Sequence, residues 1–201
     1  MRFIRLKQLT TFILLLANFF AGAQNKKLEA EFRKTCSEIA NGFAKKNITQ
    51  VNKYVDPKSG VYVITRPGAM DVFTFFKKLD TKMSFEPKYP YYDTSSVKKH
   101  TVKYGAAPTF SCGDMKWNEH GFVADTTSKS NRISELMDLK VKEGEKFTEE
   151  VIAKVNGMEK RMRKVVFTDI AKKRGLVFYM SYLNGKWYLT VVDTTVGLCA
   201  A

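Results

Sequence analysis

The stretch LVFYMSYLNGKWYLTVV, residues 176–192, decides how this 201-residue chain folds. Two runs rich in β-branched and aromatic residues flank Asn184-Gly185, a pair that accepts the positive φ angles of a two-residue hairpin turn. Large side chains occupy both odd and even positions of the first run, so both of its faces carry bulk. We therefore expect a long β-hairpin in the middle of a sheet that is covered on both sides.

Helices are predicted at the start of the chain. Apolar residues recur at steps of three and four and predict a helix over 26–46. Asn47 can cap a second, short helix, with Gln50 completing a capping box. That helix should end near Asp56, because Pro57 disfavours helix at the residue before it.

A third helix is expected to begin after Thr148, which can cap its first turn. Its buried stripe is predicted to contain Val151, Ile152, Val155, Met158 and Met162. Further strands are expected at 61–64, 97–104, 108–112 and 121–125, while residues 69–79 fit either a helix or a buried strand. Residues 84–96 are rich in Pro and Tyr and predict an irregular loop.

Residues 1–23 have the pattern of a secretory signal. Three basic residues precede an apolar stretch over 11–20, and the small residues Ala21-Gly22-Ala23 follow as a cleavage site. The apolar stretch is about half of the ~20 residues that a membrane-spanning helix needs, and no later stretch is long enough. We expect an exported protein, periplasmic or extracellular after cleavage, with residues 24–201 forming a single domain.

Basic residues dominate the charge of the chain. Lys and Arg outnumber Asp and Glu by 34 to 20, a net charge of +14. Residues 154–174 hold eight basic residues against two acids, and a cationic patch is predicted there from Lys160, Arg161, Arg163, Lys164, Lys172, Lys173 and Arg174. The expected compartment excludes nucleic acid as a partner, so an anionic glycan or an acidic protein suits the patch better. The competing interpretation is a solvated surface that only keeps the protein soluble.

Three cysteines leave two hypotheses open. Cys36 lies on the apolar face of the first predicted helix and should be a buried thiol. Cys112 and Cys199 could pair in an oxidising compartment. Alternatively, Cys112 could be a nucleophile with His120 or His100 as its base, since a nucleophilic thiol needs a nearby base.

The order of elements resembles the nuclear transport factor 2-like superfamily, also described as cystatin-like. The resemblance is to secreted bacterial members of unassigned function, and the best local matches are YVDPKSGV (54–61) and NGKWYL (184–189). Where the family often has His-Pro in the first turn, this chain has Asp56-Pro57, so a role for that histidine does not carry over. The resemblance implies an α+β fold, with N-terminal helices packed on a curved antiparallel sheet around a cone-shaped pocket. That fold hosts enzymes and binding modules alike.

Aromatic side chains on the predicted strands are the candidate ligand-binding residues. Tyr and Trp present an apolar ring with a polar tip, which suits sugars and flat apolar molecules, although each of them could instead be core. Asp193 closes the hairpin and can stand at the rim of the same pocket. The candidate set is Tyr62, Trp117, Tyr179, Tyr182 and Asp193.

No coherent catalytic set accompanies these residues, so the leading hypothesis is a non-catalytic binding protein. Its ligand would be a small amphipathic molecule or an envelope glycan held in the sheet pocket. One alternative is a small pocket enzyme, a hydrolase or isomerase, that uses a buried carboxylate or histidine. Another is an interaction protein that binds an acidic partner through the basic patch. No cofactor or metal site is expected, because zinc-type ligand spacings and glycine-rich phosphate loops are missing from the sequence.

Overall fold

The computed structural model describes residues 25–80, 101–127, 129–169, 171 and 175–199. Helix α1 spans 25–44, and α2 (Ile48–Val51) continues into a 3-10 turn, Asn52–Tyr54. The other helices are α3 (Arg132–Lys142) and α4 (Glu149–Glu159). The strands are β1 (Val61–Thr65), β2 (Val72–Phe76), β3 (Lys103–Gly105), β4 (Phe110–Ser111), β5 (Lys116–Trp117), β6 (Gly121–Asp125), β7 (Met162–Thr168), β8 (Gly175–Leu183) and β9 (Lys186–Asp193).

Seven of these strands form one open, mostly antiparallel sheet in the order β2-β1-β9-β8-β7-β6-β3. The pairs β1–β9 and β3–β6 run parallel, and the remaining neighbours are antiparallel. Strands β4 and β5 make a separate two-stranded sheet. The α+β class and the mostly antiparallel sheet are thus confirmed, while the cone-like shape stays a prediction.

The β8–β9 hairpin lies at the centre of the sheet, as its sequence predicts. Asn184 and Gly185 have φ angles of 49° and 82°, which is the geometry of a tight two-residue turn. Thr190 is an extra residue, because Tyr179 pairs with Val191 and Met180 pairs with Leu189. Its hydroxyl donates to the Tyr179 carbonyl (3.2 Å) and lies 2.8 Å from Ser181 Oγ, so the bulge leaves that buried hydroxyl with partners.

Both faces of the sheet are buried, and the two cores differ. On one face, Tyr62, Tyr179 and Val191 belong to a cluster with α3 and α4 that includes Ile133, Leu136, Met137, Val155 and Met158. We call this the helix-covered face. On the opposite face, the Phe122 ring meets the rings of Phe167 and Phe178 at centroid distances of 5.5 and 6.4 Å.

The third predicted helix is shorter than its pattern suggests. It ends at Glu159, and Met162 begins β7, which pairs along its whole length with β8. Val151 and Ile152 were expected in its buried stripe, but they are 36% and 42% exposed. A spacing of three and four fits Met162 into the helix, yet the β-rich run after it gains more by pairing with two strands.

Other segments differ in smaller ways from the elements that the sequence predicts. Helix α3 was not predicted, and residues 69–79 contain β2. The predicted loop 84–96 lies outside the described residues, as does the first part of the predicted strand 97–104. Asn47 Oδ1 accepts from Gln50 N (3.0 Å), whereas the Gln50 side chain donates to the Glu38 carbonyl, so half of the predicted capping box forms.

A close approach between Gly175 and Trp117 gives a test of this packing. A Cβ at Gly175 would lie 2.6 Å from Trp117 Nε1 and closer still to the ring carbons, and the ring is buried. We expect Gly175→Ala to lower the free energy of unfolding by about 1–3 kcal/mol, because the ring must shift. Urea unfolding monitored by Trp fluorescence measures it.

Gly157→Ala is the matched control. Gly157 lies in α4, and a Cβ there meets nothing within 4 Å. This variant should gain up to about 1 kcal/mol from helix propensity alone. Equal effects of the two substitutions would contradict the proposed packing of Trp117.

Candidate functional site

The aromatic candidates are core residues in the structure. Tyr62, Trp117 and Tyr179 are 4%, 1% and 3% exposed and belong to the cluster under α3 and α4. The space over the sheet that was expected to be a pocket is therefore filled by these two helices. Tyr182 is half-buried and points to the opposite face from Tyr179, because successive strand residues alternate; its ring packs on Trp187 at 5.2 Å.

Asp193 is held by hydrogen bonds at the end of β9 and does not stand at an open rim. The residue is 5% exposed. Its Oδ1 accepts from Thr195 N (2.9 Å) and from Thr195 Oγ1 (2.6 Å). Its Oδ2 lies 3.5 Å from Arg132 Nε, at the first residue of α3. The carboxylate thus connects the central hairpin to the start of a covering helix.

Two further charged residues extend this contact into a chain of alternating signs. Arg132 also donates to Asp71 Oδ2, and Asp71 Oδ1 accepts from Arg66 Nε at 2.6 Å. Arg66 in turn donates to the carbonyl of Leu198 in the C-terminal tail (2.8 Å). We call Arg66, Asp71, Arg132 and Asp193 the charge chain; its two arginines and two aspartates balance.

The charge chain and its surroundings set the proton affinities nearby. Burial acts to raise the pKa of Asp71, but hydrogen bonds from Arg66 and Arg132 outweigh it and hold that pKa below its ordinary value. Burial, followed by the charge of Asp193, raises the pKa of Tyr179. Burial, followed by Glu159, raises the pKa of Tyr62. Both phenols therefore stay protonated at neutral pH, which suits hydrogen-bond donors rather than bases.

A second buried acid joins the two covering helices. Glu159, the last residue of α4, accepts through Oε1 from the backbone N–H groups of Ile133 (2.7 Å) and Ser134 (3.2 Å). Its Oε2 accepts from the Ser134 hydroxyl. Asn131 at the N-cap position of α3 makes no capping bond with its side chain, so Glu159 supplies the cap from another helix.

The outer side of this helix pair contains a groove of about 250 Å³. We call it the α3–α4 groove. The α3 residues that line it are spaced three and four apart and so lie on one face of that helix. Five of its lining residues are apolar and three are polar: Ser134, Met137, Asp138, Val141, Phe147, Ile152, Val155 and Asn156. This groove is not predicted from the sequence, because α3 is not predicted; the spacing of Ile133, Leu136 and Met137 after Asn131 is the signal that could have indicated the helix.

The described members of the basic patch do not share one surface. Lys160 and Arg161 are exposed in the turn after α4. Arg163 and Lys164 are adjacent in β7 and so point to opposite faces of the sheet. The Arg163 guanidinium lies over the rings of Trp187 (4.9 Å) and Tyr104 (5.7 Å). Lys172, Lys173 and Arg174 lie outside the described residues.

The cysteines adopt the first of the two arrangements considered above. Cys112 and Cys199 form a disulfide with a Cα–Cα distance of 5.6 Å, and Cys36 is a buried thiol. The nucleophile hypothesis for Cys112 is therefore wrong for this state, which has no thiol at that position. The bond closes a loop of 87 residues, worth about 4 kcal/mol in the chain-entropy account, and fixes the tail.

Among the described residues, no group of three or more His, Cys, Asp or Glu is arranged to hold a metal ion. None of the helices described here has both the length and the hydropathy to cross a membrane. No family model, curated protein or solved structure matches the chain. The resemblance to the nuclear transport factor 2-like superfamily therefore stays a prediction.

The pKa of Asp71 gives a test of the charge chain. Because its folded pKa is lowered, the carboxylate stabilises the fold above its ordinary value of 3.8, and this stabilisation is lost as pH falls through the folded value. We expect Asp71→Asn to cost about 1.5–3 kcal/mol at pH 7, since hydrogen bonds to charged groups are lost. The difference from wild type should shrink below about pH 3.8. Urea unfolding of both proteins at a series of values between about pH 2 and pH 7 measures the difference in their free energies of unfolding.

Asp138→Asn is the control, because Asp138 is exposed on α3. It should change the free energy of unfolding by less than about 0.5 kcal/mol. A cost of Asp71→Asn that stays constant through the acid range would show that the charge of Asp71 is not what stabilises the fold.

Proposed function

We propose that this protein is an exported, non-catalytic binding protein that holds a small amphipathic molecule in the α3–α4 groove. One observation carries the proposal. Val141 and Ile152 line the groove and remain 52% and 42% exposed, although the same groove reaches the buried side chains of Met137 and Val155. A concave apolar surface with a few polar groups is the usual form of a ligand site.

The size of the groove limits the ligand. An engineered apolar cavity of about 150 Å³ holds benzene, so a groove of about 250 Å³ suits a body somewhat larger than one aromatic ring. Pockets for drug-sized ligands measure roughly 300–1,000 Å³, which is larger than this groove. A glycan is less suited, because Tyr62, Trp117 and Tyr179, three of the four aromatic residues expected to contact a ligand, are buried in the core.

The two alternatives have less support from the geometry. Asp193 is a buried carboxylate of the kind that a pocket enzyme would use, but it is occupied by Thr195 and Arg132. The interaction alternative needs a continuous basic surface, whereas Arg163 and Lys164 point to opposite faces of β7. Binding in the α3–α4 groove is therefore the function that we put forward.

The test is an amide NMR titration with 1-hexanol, a small molecule with a polar head and an apolar tail. We expect saturable shifts at residues 134–141 and 152–156, with a Kd on the order of millimolar, as the ligand efficiency of so few atoms allows. Ile152→Trp should fill the groove and weaken binding at least about tenfold, because the tail loses its apolar contacts.

Val151→Trp is the matched control. Val151 is the neighbouring residue of α4, is 36% exposed and does not line the groove. This variant places the same Trp side chain on the same helix but outside the groove, so binding should be unchanged. Saturable shifts that map elsewhere, or equal losses in the two variants, would reject the groove as the site.

A further inference from the structure

Polar and apolar residues separate along the α3–α4 groove. Ser134 on α3 and Asn156 on α4 lie together at one end, with Ser134 Oγ 3.4 Å from Asn156 Oδ1. Val141, Phe147 and Ile152 lie at the other end, beside the connection between the helices. Seven residues separate Ser134 from Val141, which is about 10 Å along a helix. A bound amphipathic molecule is therefore oriented, with its head towards Ser134 and its tail towards Val141.

The charge at this site is negative. Asp138 is the charged residue among those that line the groove, and it lies one helical turn after Ser134. The carboxylate of Glu159 lies at the same end, bonded to Ser134. Glu159 is used as a helix cap and is 9% exposed, whereas Asp138 is open to solvent and to a ligand.

Two lysines on the same helices, Lys140 and Lys154, point their charge elsewhere. Lys140 Nζ lies 2.8 Å from Glu145 Oε2 and 5.3 Å from the centre of the Phe73 ring. Lys154 Nζ lies 4.4 Å from the centre of the Phe75 ring. Neither lysine lines the groove. No Lys or Arg is among the described residues that line the groove, so an anionic head group would meet carboxylates there.

We propose that the ligand carries a cationic head, such as a primary ammonium group, which pairs with Asp138 while its apolar body lies against Val141, Phe147 and Ile152. This inference rests on the proposed function and specifies its ligand class. An ammonium group donates three hydrogen bonds, and the groove is lined by the acceptors Asp138 Oδ and Ser134 Oγ of α3 and Asn156 Oδ1 of α4. The net charge of the protein is positive, but distant charges are screened over about 8 Å at physiological salt. The nearby carboxylate of Asp138 therefore determines which ligand charge is favoured in the groove.

Three probes with the same tail test the inference: hexylamine, 1-hexanol and hexanoate, each titrated by amide NMR at pH 7. We expect the Kd of hexylamine to be about two- to fivefold lower than that of 1-hexanol, the range that an exposed ion pair supports, and hexanoate to bind most weakly. The preference for the amine should shrink at 1 M salt, where the Debye length is about 3 Å.

Asp138→Asn should remove the preference for the amine over 1-hexanol, because the amide keeps the shape and loses the charge. Glu135→Gln, which removes an exposed charge from the same helix outside the groove, should keep the preference. If 1-hexanol binds as tightly as hexylamine, or if Asp138→Asn retains the preference, the cationic ligand is rejected while the groove remains a site. If none of the three probes binds saturably in the groove, both the inference and the proposed function fall.

Discussion

Arg132 makes the contact on which the arrangement of this fold depends. It stands at the first residue of α3 between two carboxylates, Asp193 at the end of the central hairpin and Asp71 before the edge strand β2. Burying charges is unfavourable unless each is paired and hydrogen-bonded, and this chain meets that condition through Arg66 and Thr195. An apolar contact would let α3 slide over the sheet, whereas paired charges of fixed geometry hold its first turn at one place.

The position of α3 determines the rest of the helix-covered face. Once its start is held, Glu159 can cap it from the end of α4, which fixes the second helix beside the first. The two helices then bury Tyr62 and Tyr179, and their outer sides leave the α3–α4 groove. The buried tyrosines and the open groove are therefore two results of the same pair of acid contacts.

The sequence predicts the parts of this fold that local chemistry specifies. Asn184-Gly185 fixes the hairpin, and Asn47 caps α2, because both depend on neighbours within a few residues. Asp71 and Arg132 are 61 residues apart, and Glu159 caps a helix that begins 27 residues earlier, so no local pattern reveals either contact. The predicted end of α4 was wrong for a similar reason. The pairing of β7 with β6 and β8 outweighs the helical spacing that places Met162 in the helix. The sequence predicts Tyr62, Trp117 and Tyr179 as pocket residues, whereas in the structure α3 and α4 cover them.

Within the helix pair, some residues hold the helices in place and others are exposed in the groove. This separation explains how a binding site can exist in so small a domain. The inward residues of α3 and α4, such as Ile133, Leu136 and Met158, are fully committed to the core, and the helix ends are held by Arg132 and Glu159. Val141, Ile152 and Asp138 contribute to neither task. Because Val141, Ile152 and Asp138 lie apart from the contacts that place the helices, these three lining residues can change in size or charge at little expense to folding stability. Ser134, Met137 and Val155 also line the groove but do not share this freedom, since Ser134 bonds to Glu159 and the other two are core residues. A site on the central strands of the sheet would lack this freedom, since Tyr179, Met180 and Val191 there are core residues.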